Sequence, residues 1–189
     1  MYYGAIKKND IANGEGIRTS LFVSGCRNRC KNCFQPETWA FDYGTPFTSV
    51  TEEEILESLD FPYVRGLTVL GGEPMESENQ RELLPFLRRV KERFPEKTVW
   101  LYTGNTYEEL TAPVGSNPKS LPETAELLSY VDILVDGRYE EDLARLGLRF
   151  RGSANQRIID MKLTAKEGRV VSWAGVLEDR CFASPNKGD

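Results

Sequence analysis

The chain has 189 residues, a formal net charge of −5 from 24 Lys and Arg against 29 Asp and Glu, and no histidine. This length suits one domain with a sizeable core but is short for a complete (βα)8 barrel, and the negative charge argues against nucleic-acid binding. The missing imidazole excludes Ser-His-Asp hydrolysis, Cys-His proteolysis and His-based zinc catalysis, which leaves chemistry carried by a cofactor.

Apolar and amphipathic stretches alternate along the chain. Short apolar runs predict strands over residues 19–23, 67–70, 98–102 and 133–135. Helices are predicted from a capping box of Thr51 and Glu54, over residues 83–94 before Pro95, around 127–131, and briefly near Leu143 and Leu146. A Pro/Gly/Ser-rich loop over residues 111–122 is predicted at the surface. The alternation predicts an α/β fold with a mostly parallel open sheet covered by helices.

Each predicted strand is followed directly by small or polar residues. In α/β proteins, ligands lie beyond the carboxyl ends of parallel strands, so we expect these segments to meet at one edge. By themselves, the Gly71-Gly72 and Asp136-Gly137 pairs are also typical of tight turns, and Glu73 of a residue complementing a helix dipole. The segments are the cysteine loop from residue 26, Gly71-Gly72-Glu73-Pro74, Thr103-Gly104 and Asp136-Gly137.

Three cysteines, Cys26, Cys30 and Cys33, lie within eight residues. Closed zinc sites use four Cys or His ligands, and the only other cysteine is the distant Cys181. Three local thiolates favour an iron–sulfur cluster with one iron left open, with structural zinc or ordinary thiols as the alternatives. A disulfide framework is not expected, because four cysteines and no secretory leader indicate a reducing cytoplasmic setting.

Basic residues alternate with these cysteines. Arg27, Arg29 and Lys31 are predicted to lower the pKa of the thiols and to offset the charge of thiolates and cluster. The same residues are also typical of a solvated basic loop, or of a docking patch for an electron donor or protein partner.

The cysteine and glycine motifs resemble a known family. A strand ending in Cys-x-x-x-Cys-x-x-Cys, followed one strand later by Gly-Gly-Glu-Pro, is similar to the radical S-adenosylmethionine superfamily. Residues 13–18 (Asn-Gly-Glu-Gly-Ile-Arg) and 34–39 resemble its glycyl-radical-enzyme activases, although Glu15 replaces a proline and Asn32 an aromatic residue. Residues 135–138 and 151–157 look closest to the activases of anaerobic ribonucleotide reductases, and the resemblance runs from about residue 10 to 160.

The resemblance implies a cofactor site. Cys26, Cys30 and Cys33 would be the catalytic cysteines that ligate a 4Fe-4S cluster, whose fourth iron is chelated by S-adenosylmethionine. Thr103, Gly104 and Asp136 would complete the cofactor pocket by their position at strand ends. The other implied contacts are Gly71, Gly72, Glu73 and Pro74 with the methionine portion, and Asn32, Cys33 and Phe34 beside the adenine.

The resemblance also implies a fold, a reaction and partners. The fold would be a partial (βα) barrel in a single domain over residues 1–189, with a loose tail from about residue 178. Reductive cleavage of S-adenosylmethionine would give a 5′-deoxyadenosyl radical that forms a glycyl radical on a large reductase, with Asn155 and Gln156 near the docking surface. An electron donor such as a flavodoxin is implied, and neither nucleic acid nor membrane is expected. The alternatives are activation of another glycyl-radical enzyme, such as a formate-lyase, and a non-enzymatic zinc-stapled interaction module closed by Cys181.

Overall fold

One mixed sheet organises the chain, and the computed structural model describes residues 1–175. The spatial order of its seven strands is β3-β1-β2-β4-β5-β6-β7. The α/β class predicted from the sequence is therefore confirmed. The strands are β1 Tyr2–Asp10, β2 Ile17–Val23, β3 Thr45–Pro46, β4 Val64–Gly71, β5 Thr98–Tyr102, β6 Ile133–Asp136 and β7 Arg157–Asp160.

Five helices lie within the described residues, four of them between strands and the fifth after the last strand. No helix in this part of the chain is long and apolar enough to cross a membrane. Cys181 and the tail from residue 178 lie outside the described residues. The helices are α1 Ser49–Leu59, α2 Ser77–Arg93, α3 Tyr107–Leu110, α4 Thr124–Ser129 and α5 Met161–Glu167, with short 3-10 turns at Pro36–Trp39 and Glu141–Leu143.

The centre of the sheet is parallel and its edges are antiparallel. β2, β4, β5 and β6 pair in parallel, whereas β1, β3 and β7 are attached antiparallel. The four central strands are those that the apolar runs predict. The three outer strands, of which β3 and β7 form the edges, lack such runs, because strands at the margin of a sheet are partly exposed to water and need fewer apolar residues.

Two sequence-based predictions about helices were wrong in detail. α1 is capped by Thr48, and Thr51 lies at the third helical position, where its side chain completes the capping box. The helix predicted near Leu143 and Leu146 is replaced by a 3-10 turn that ends at Leu143. The chain cannot continue as a helix there, because Ala144 pairs with Ser153 in an antiparallel bridge. Leu146 is left fully exposed.

The two faces of the sheet carry different cores. Alternate strand residues point to opposite faces, so each strand contributes to both. One face packs against α1, α2 and α4 through Leu21, Val69, Leu101 and Leu134, together with helix residues Ile55, Leu87 and Leu127. The other face carries the smaller cluster of Trp100, Ile133, Val135 and Ile158, with Tyr102, Phe150 and Trp173 packed against it.

A buried arginine ties the parallel strands together. Arg18 is 1% exposed and donates to the Thr68 hydroxyl at 2.6 Å, and to the carbonyls of residues 67 and 98 at 2.6 and 2.8 Å. Burial lowers its pKa to about 10. These partners are neutral oxygens on β4 and β5. Arg18, the last residue of the Asn-Gly-Glu-Gly-Ile-Arg segment, therefore stabilises the fold.

The loop over residues 111–122 is partly anchored. The sequence predicts it at the surface, but Lys119 and Ser120 are buried. The Ser120 hydroxyl donates to the Ala112 carbonyl at 2.6 Å, and its amide donates to the Asn117 carbonyl. These internal bonds explain how a loop rich in Pro, Gly and Ser holds a charged side chain inside the protein.

Candidate active site

A cavity of about 430 Å³ opens at the carboxyl ends of the parallel strands. Its volume falls in the range of small-molecule sites, roughly 300–1,000 Å³. All four strand-end segments contribute to its wall, as expected for a sheet of this topology. Of the predicted site residues, Cys26, Cys30, Cys33, Phe34, Gly71, Gly72, Thr103 and Gly104 line it, and Asn32, Glu73, Pro74 and Asp136 do not.

The cysteine loop is anchored at its start and curled at its end. The Gly25 amide donates to the Thr38 carbonyl at 2.8 Å and the Cys26 amide to the Trp39 carbonyl at 3.2 Å, which buries Cys26. Further along, Arg29 and Asn32 adopt left-handed φ values of 47° and 53°. Non-glycine residues rarely adopt this conformation. Cys30 and Cys33 remain partly exposed.

Two thiols of this loop, Cys26 and Cys30, favour the protonated form when no metal is bound. Burial raises the pKa of the Cys26 thiol to about 11 and also raises that of Cys30. The predicted lowering by neighbouring cations was wrong for these two thiols, because the effect of burial on the pKa is larger. Arg27 is paired with Glu76 and Glu78, and Lys31 with Glu141. Since metal ligands must be thiolates, loading would release protons.

The donor set fits an iron–sulfur cluster. Three soft thiol ligands line one cavity, and among residues 1–175 no other cysteine lines it. Within residues 1–175, no group of three or more His, Cys, Asp or Glu side chains has metal-holding geometry. The three thiols therefore face one cavity without being drawn together, and ligation by them stays a prediction.

Glu73 joins three loops around the cavity. Its Oε1 accepts from the Met75 amide at 2.9 Å and the Thr103 hydroxyl at 2.8 Å. Its Oε2 accepts from the Asn28 side chain at 2.7 Å and the Gly104 amide at 2.8 Å. A carboxylate has about four acceptor positions, so protein donors use all of them. Burial raises the pKa of Glu73, and these donors favour its ionised form.

Asp136 is committed to a structural ion pair. It is fully buried, and Arg157 Nε donates to its Oδ1 at 2.9 Å while the Tyr107 amide donates to its Oδ2 at 2.7 Å. The arginine joins the ends of the antiparallel strands β6 and β7. Asp136 thus lies behind the cavity wall, and the neighbouring Gly137 forms the wall itself.

The cysteine loop reaches across to the segment after β6. Lys31 Nζ lies 3.1 Å from Glu141 Oε2, and the Asn32 side chain donates to Oε1 of the same carboxylate. The Phe34 and Tyr139 rings lie 5.2 Å apart, although Phe34 is 78% exposed. These contacts place Asn32 and Phe34 at the mouth of the cavity.

Asn155 and Gln156 hold the opposite wall. Gln156 Oε1 accepts from the amides of residues 152 and 153 at 2.8 and 3.1 Å, and its Nε2 donates to the Gly137 carbonyl at 3.0 Å. The Asn155 side chain donates to the Arg138 carbonyl at 2.8 Å. Both residues therefore organise the segment between β6 and β7, and their predicted docking role stays a prediction.

Known proteins are similar to this chain over most of its length. A family described as a 4Fe-4S single cluster domain matches residues 12–159. The anaerobic ribonucleoside-triphosphate reductase-activating protein of Pasteurella multocida is 41% identical over 160 residues, which cover 84% of this chain and 96% of the relative. The protein of the same name from Haemophilus influenzae is 38% identical, over 86% of this chain and 100% of the relative. That of Enterobacteria phage T4 is 39% identical, over 84% of this chain and 93% of the relative.

The chain belongs to this family of activating proteins. The predicted membership is thereby confirmed. The range shared with the 4Fe-4S domain contains every residue that lines the cavity, from Asn13 to Gln156.

Several residues of this activating-protein site were missed by sequence reasoning. Phe22, Leu70 and Tyr102 line the cavity at the ends of β2, β4 and β5. Their position in the last residues of predicted strands was a usable signal, because alternation decides which residues face the cavity. Asn28 carried no such signal, since its bond to Glu73 depends on how the cysteine loop folds back.

Glu141→Ala is expected to expose the cysteine loop of the activating protein. Removing the carboxylate releases Lys31 and Asn32 together, so alkylation of Cys30 and Cys33 in the metal-free protein should speed up by about two- to fivefold. Peptide mass spectrometry reports each cysteine separately. Asp142→Ala, one residue along the same exposed turn, is the matched control. Equal rates in both variants would show that Glu141 does not restrain the loop.

Proposed function

We propose that this chain activates an anaerobic ribonucleotide reductase by forming a glycyl radical on it. The observation that supports this most is that Cys26, Cys30 and Cys33 line a single cavity in a chain of the activating-protein family. When bound, a 4Fe-4S cluster with S-adenosylmethionine would supply the reductive cleavage that gives a 5′-deoxyadenosyl radical, which abstracts hydrogen from a glycine of the partner.

The chain's own residues would hold and shield this chemistry. The three thiolates would bind iron, while Gly71 and Gly72 bring backbone close to the methionine portion of S-adenosylmethionine. Glu73 keeps the loops after β2, β4 and β5 in register through its four hydrogen bonds. Its acceptors are occupied, so we assign it this positioning role and not direct contact with the methionine ammonium. Apolar walls that include Phe22, Trp39 and Leu70 would exclude water.

The finer features of the fold and setting belong to the same proposal. The parallel centre of the sheet, with helices on one face and a cavity on the other, suits a partial (βα) barrel in a single domain over residues 1–189. A cavity that opens at the edge of the sheet suits a glycine-bearing loop of a protein partner. We place the protein in the cytoplasm, with a flavodoxin-type electron donor and without nucleic-acid or membrane partners.

The test mixes the reduced, anaerobically reconstituted protein with S-adenosylmethionine and the reductase from the same organism. A doublet EPR signal is expected on the reductase, because a glycyl radical couples strongly to its remaining α-hydrogen. Reductase labelled with α-deuterated glycine should transfer deuterium to 5′-deoxyadenosine.

Two controls test whether the signal depends on S-adenosylmethionine and on the reductase. Omitting S-adenosylmethionine should abolish the signal, and a formate-lyase offered in place of the reductase should remain unmodified. Cleavage of S-adenosylmethionine that modifies a small molecule and leaves the reductase silent would overturn the proposed substrate.

A further inference from the structure

Another buried carboxylate, Glu76, lies beside the cysteine loop but outside the cavity. It occupies the residue before α2, and its side chain is only 2% exposed. It neither caps the helix through its side chain nor lines the cavity. A buried carboxylate needs charged or hydrogen-bonding partners, so its contacts indicate its purpose.

Those contacts converge on the residue after the first cysteine. Glu76 Oε1 accepts from the Arg27 amide at 2.8 Å, and Oε2 accepts from Arg27 Nη1 at 2.7 Å. The Arg27 guanidinium also binds Glu78 and lies 4.1 Å from the centre of the Phe41 ring. The backbone around Cys26 is thus held on both sides, since the Cys26 amide donates to the Trp39 carbonyl.

A lysine from the loop over residues 111–122 provides the second positive charge. Lys119 forms an ion pair with Glu76 Oε1, and its side chain is 10% exposed. The Lys119 carbonyl accepts from the side chains of Gln80 and Thr124 at 2.9 and 3.0 Å, which fixes the lysine on α2 and α4.

We propose that Glu76 and Lys119 are positioning residues for Cys26. The Glu76 carboxylate fixes the peptide that follows Cys26, and Lys119 holds that carboxylate in place through the buried ion pair. This role rests on the proposed function in that Cys26 is taken as a metal ligand. The loop over residues 111–122 is thereby coupled to the metal site, although it contributes no residue to the cavity.

The primary test measures amide hydrogen exchange in the metal-free protein. Exchange at the Arg27 amide should accelerate by about tenfold or more in Lys119→Met and Glu76→Gln, relative to a core amide such as Leu134. Lys119→Arg should restore slow exchange. Because neither iron nor S-adenosylmethionine is present, the outcome is independent of whether the protein activates a reductase.

A lysine elsewhere serves as the matched control. Lys91 forms a largely buried pair with Asp132 at 2.5 Å, near the opposite ends of the parallel strands. Lys91→Met is expected to lower thermal stability, as is Lys119→Met. In Lys91→Met, however, amide exchange at Arg27 should not accelerate selectively.

The second test uses the reconstituted protein and spectroscopy. Lys119→Met should retain iron about 10–100-fold less tightly and change the EPR signature of the reduced cluster, whereas Lys91→Met should leave both unchanged. Unaltered Arg27 exchange in both Lys119→Met and Glu76→Gln would overturn the proposal. Two other results would also overturn the proposal: equal acceleration of amide exchange at Arg27 and Leu134, or selective acceleration at Arg27 in Lys91→Met. Either would show that the pair of Glu76 and Lys119 only stabilises the protein in general.

Discussion

Serine in place of Cys26, Cys30 or Cys33 is expected to leave the chain without bound iron after anaerobic reconstitution. Serine keeps the size of the side chain but replaces a soft thiolate with a hydroxyl that does not ionise at neutral pH. The three thiols share one cavity wall, so removing any one leaves two local ligands. Iron and sulfide analysis, together with the brown colour that bleaches in air, measures the loss.

Cys181→Ser is the control for the cysteine variants, and it should keep its full iron content. Iron retention in Cys30→Ser, or loss in Cys181→Ser, would contradict the assignment of the three ligands. A colourless protein that holds one zinc in a manner dependent on Cys181 would instead favour the stapled interaction module.

Gly72→Val is expected to destabilise the protein and prevent cluster loading. A Cβ at this position would lie 2.8 Å from the Gly25 carbonyl oxygen, 3.0 Å from that of Thr38 and 3.1 Å from that of Val23. These are backbone atoms that cannot rotate away, and two of them belong to the segments that hold Cys26. Overpacking of this kind costs about 1–3 kcal/mol or more.

Chemical denaturation and iron analysis would measure the two effects of Gly72→Val. Gly168→Ala is a suitable control, since its Cβ meets nothing within 4 Å and only the left-handed φ of 65° is strained. It should lose about 1 kcal/mol and load normally. Normal stability and loading in Gly72→Val would show that the crowding is readily relieved.

The crowding changes the explanation of the double glycine. The sequence favours two glycines as a place where backbone approaches a ligand, and Gly72 does line the cavity. A Cβ at Gly72, however, would point toward the backbone of Gly25 and Thr38. Close packing of three backbone segments is therefore sufficient to require glycine. Calorimetry with S-adenosylmethionine on the unaltered protein would test the ligand contact separately.

The central strands and the residues that follow them can be read from the amino-acid sequence. The apolar runs at residues 67–70 and 98–102 lie within β4 and β5, because strands buried on both faces need nearly continuous apolar residues. Cysteine spacing and the Gly-Gly-Glu-Pro segment were sufficient for the family, which comparison with known proteins confirms. Both features are short segments of the chain, so they can be identified from the sequence without knowledge of the fold.

Which charged groups meet depends on long-range packing and is visible in the folded protein alone. Glu73 and Asp136 follow predicted strands in the same way as Gly71 and Gly137, yet both carboxylates turn away from the cavity to partners on other elements. Glu76 and Lys119 lie 43 residues apart in the sequence and form one buried pair. A charged side chain is stable inside a protein only beside its partners, and long-range packing determines where those partners lie.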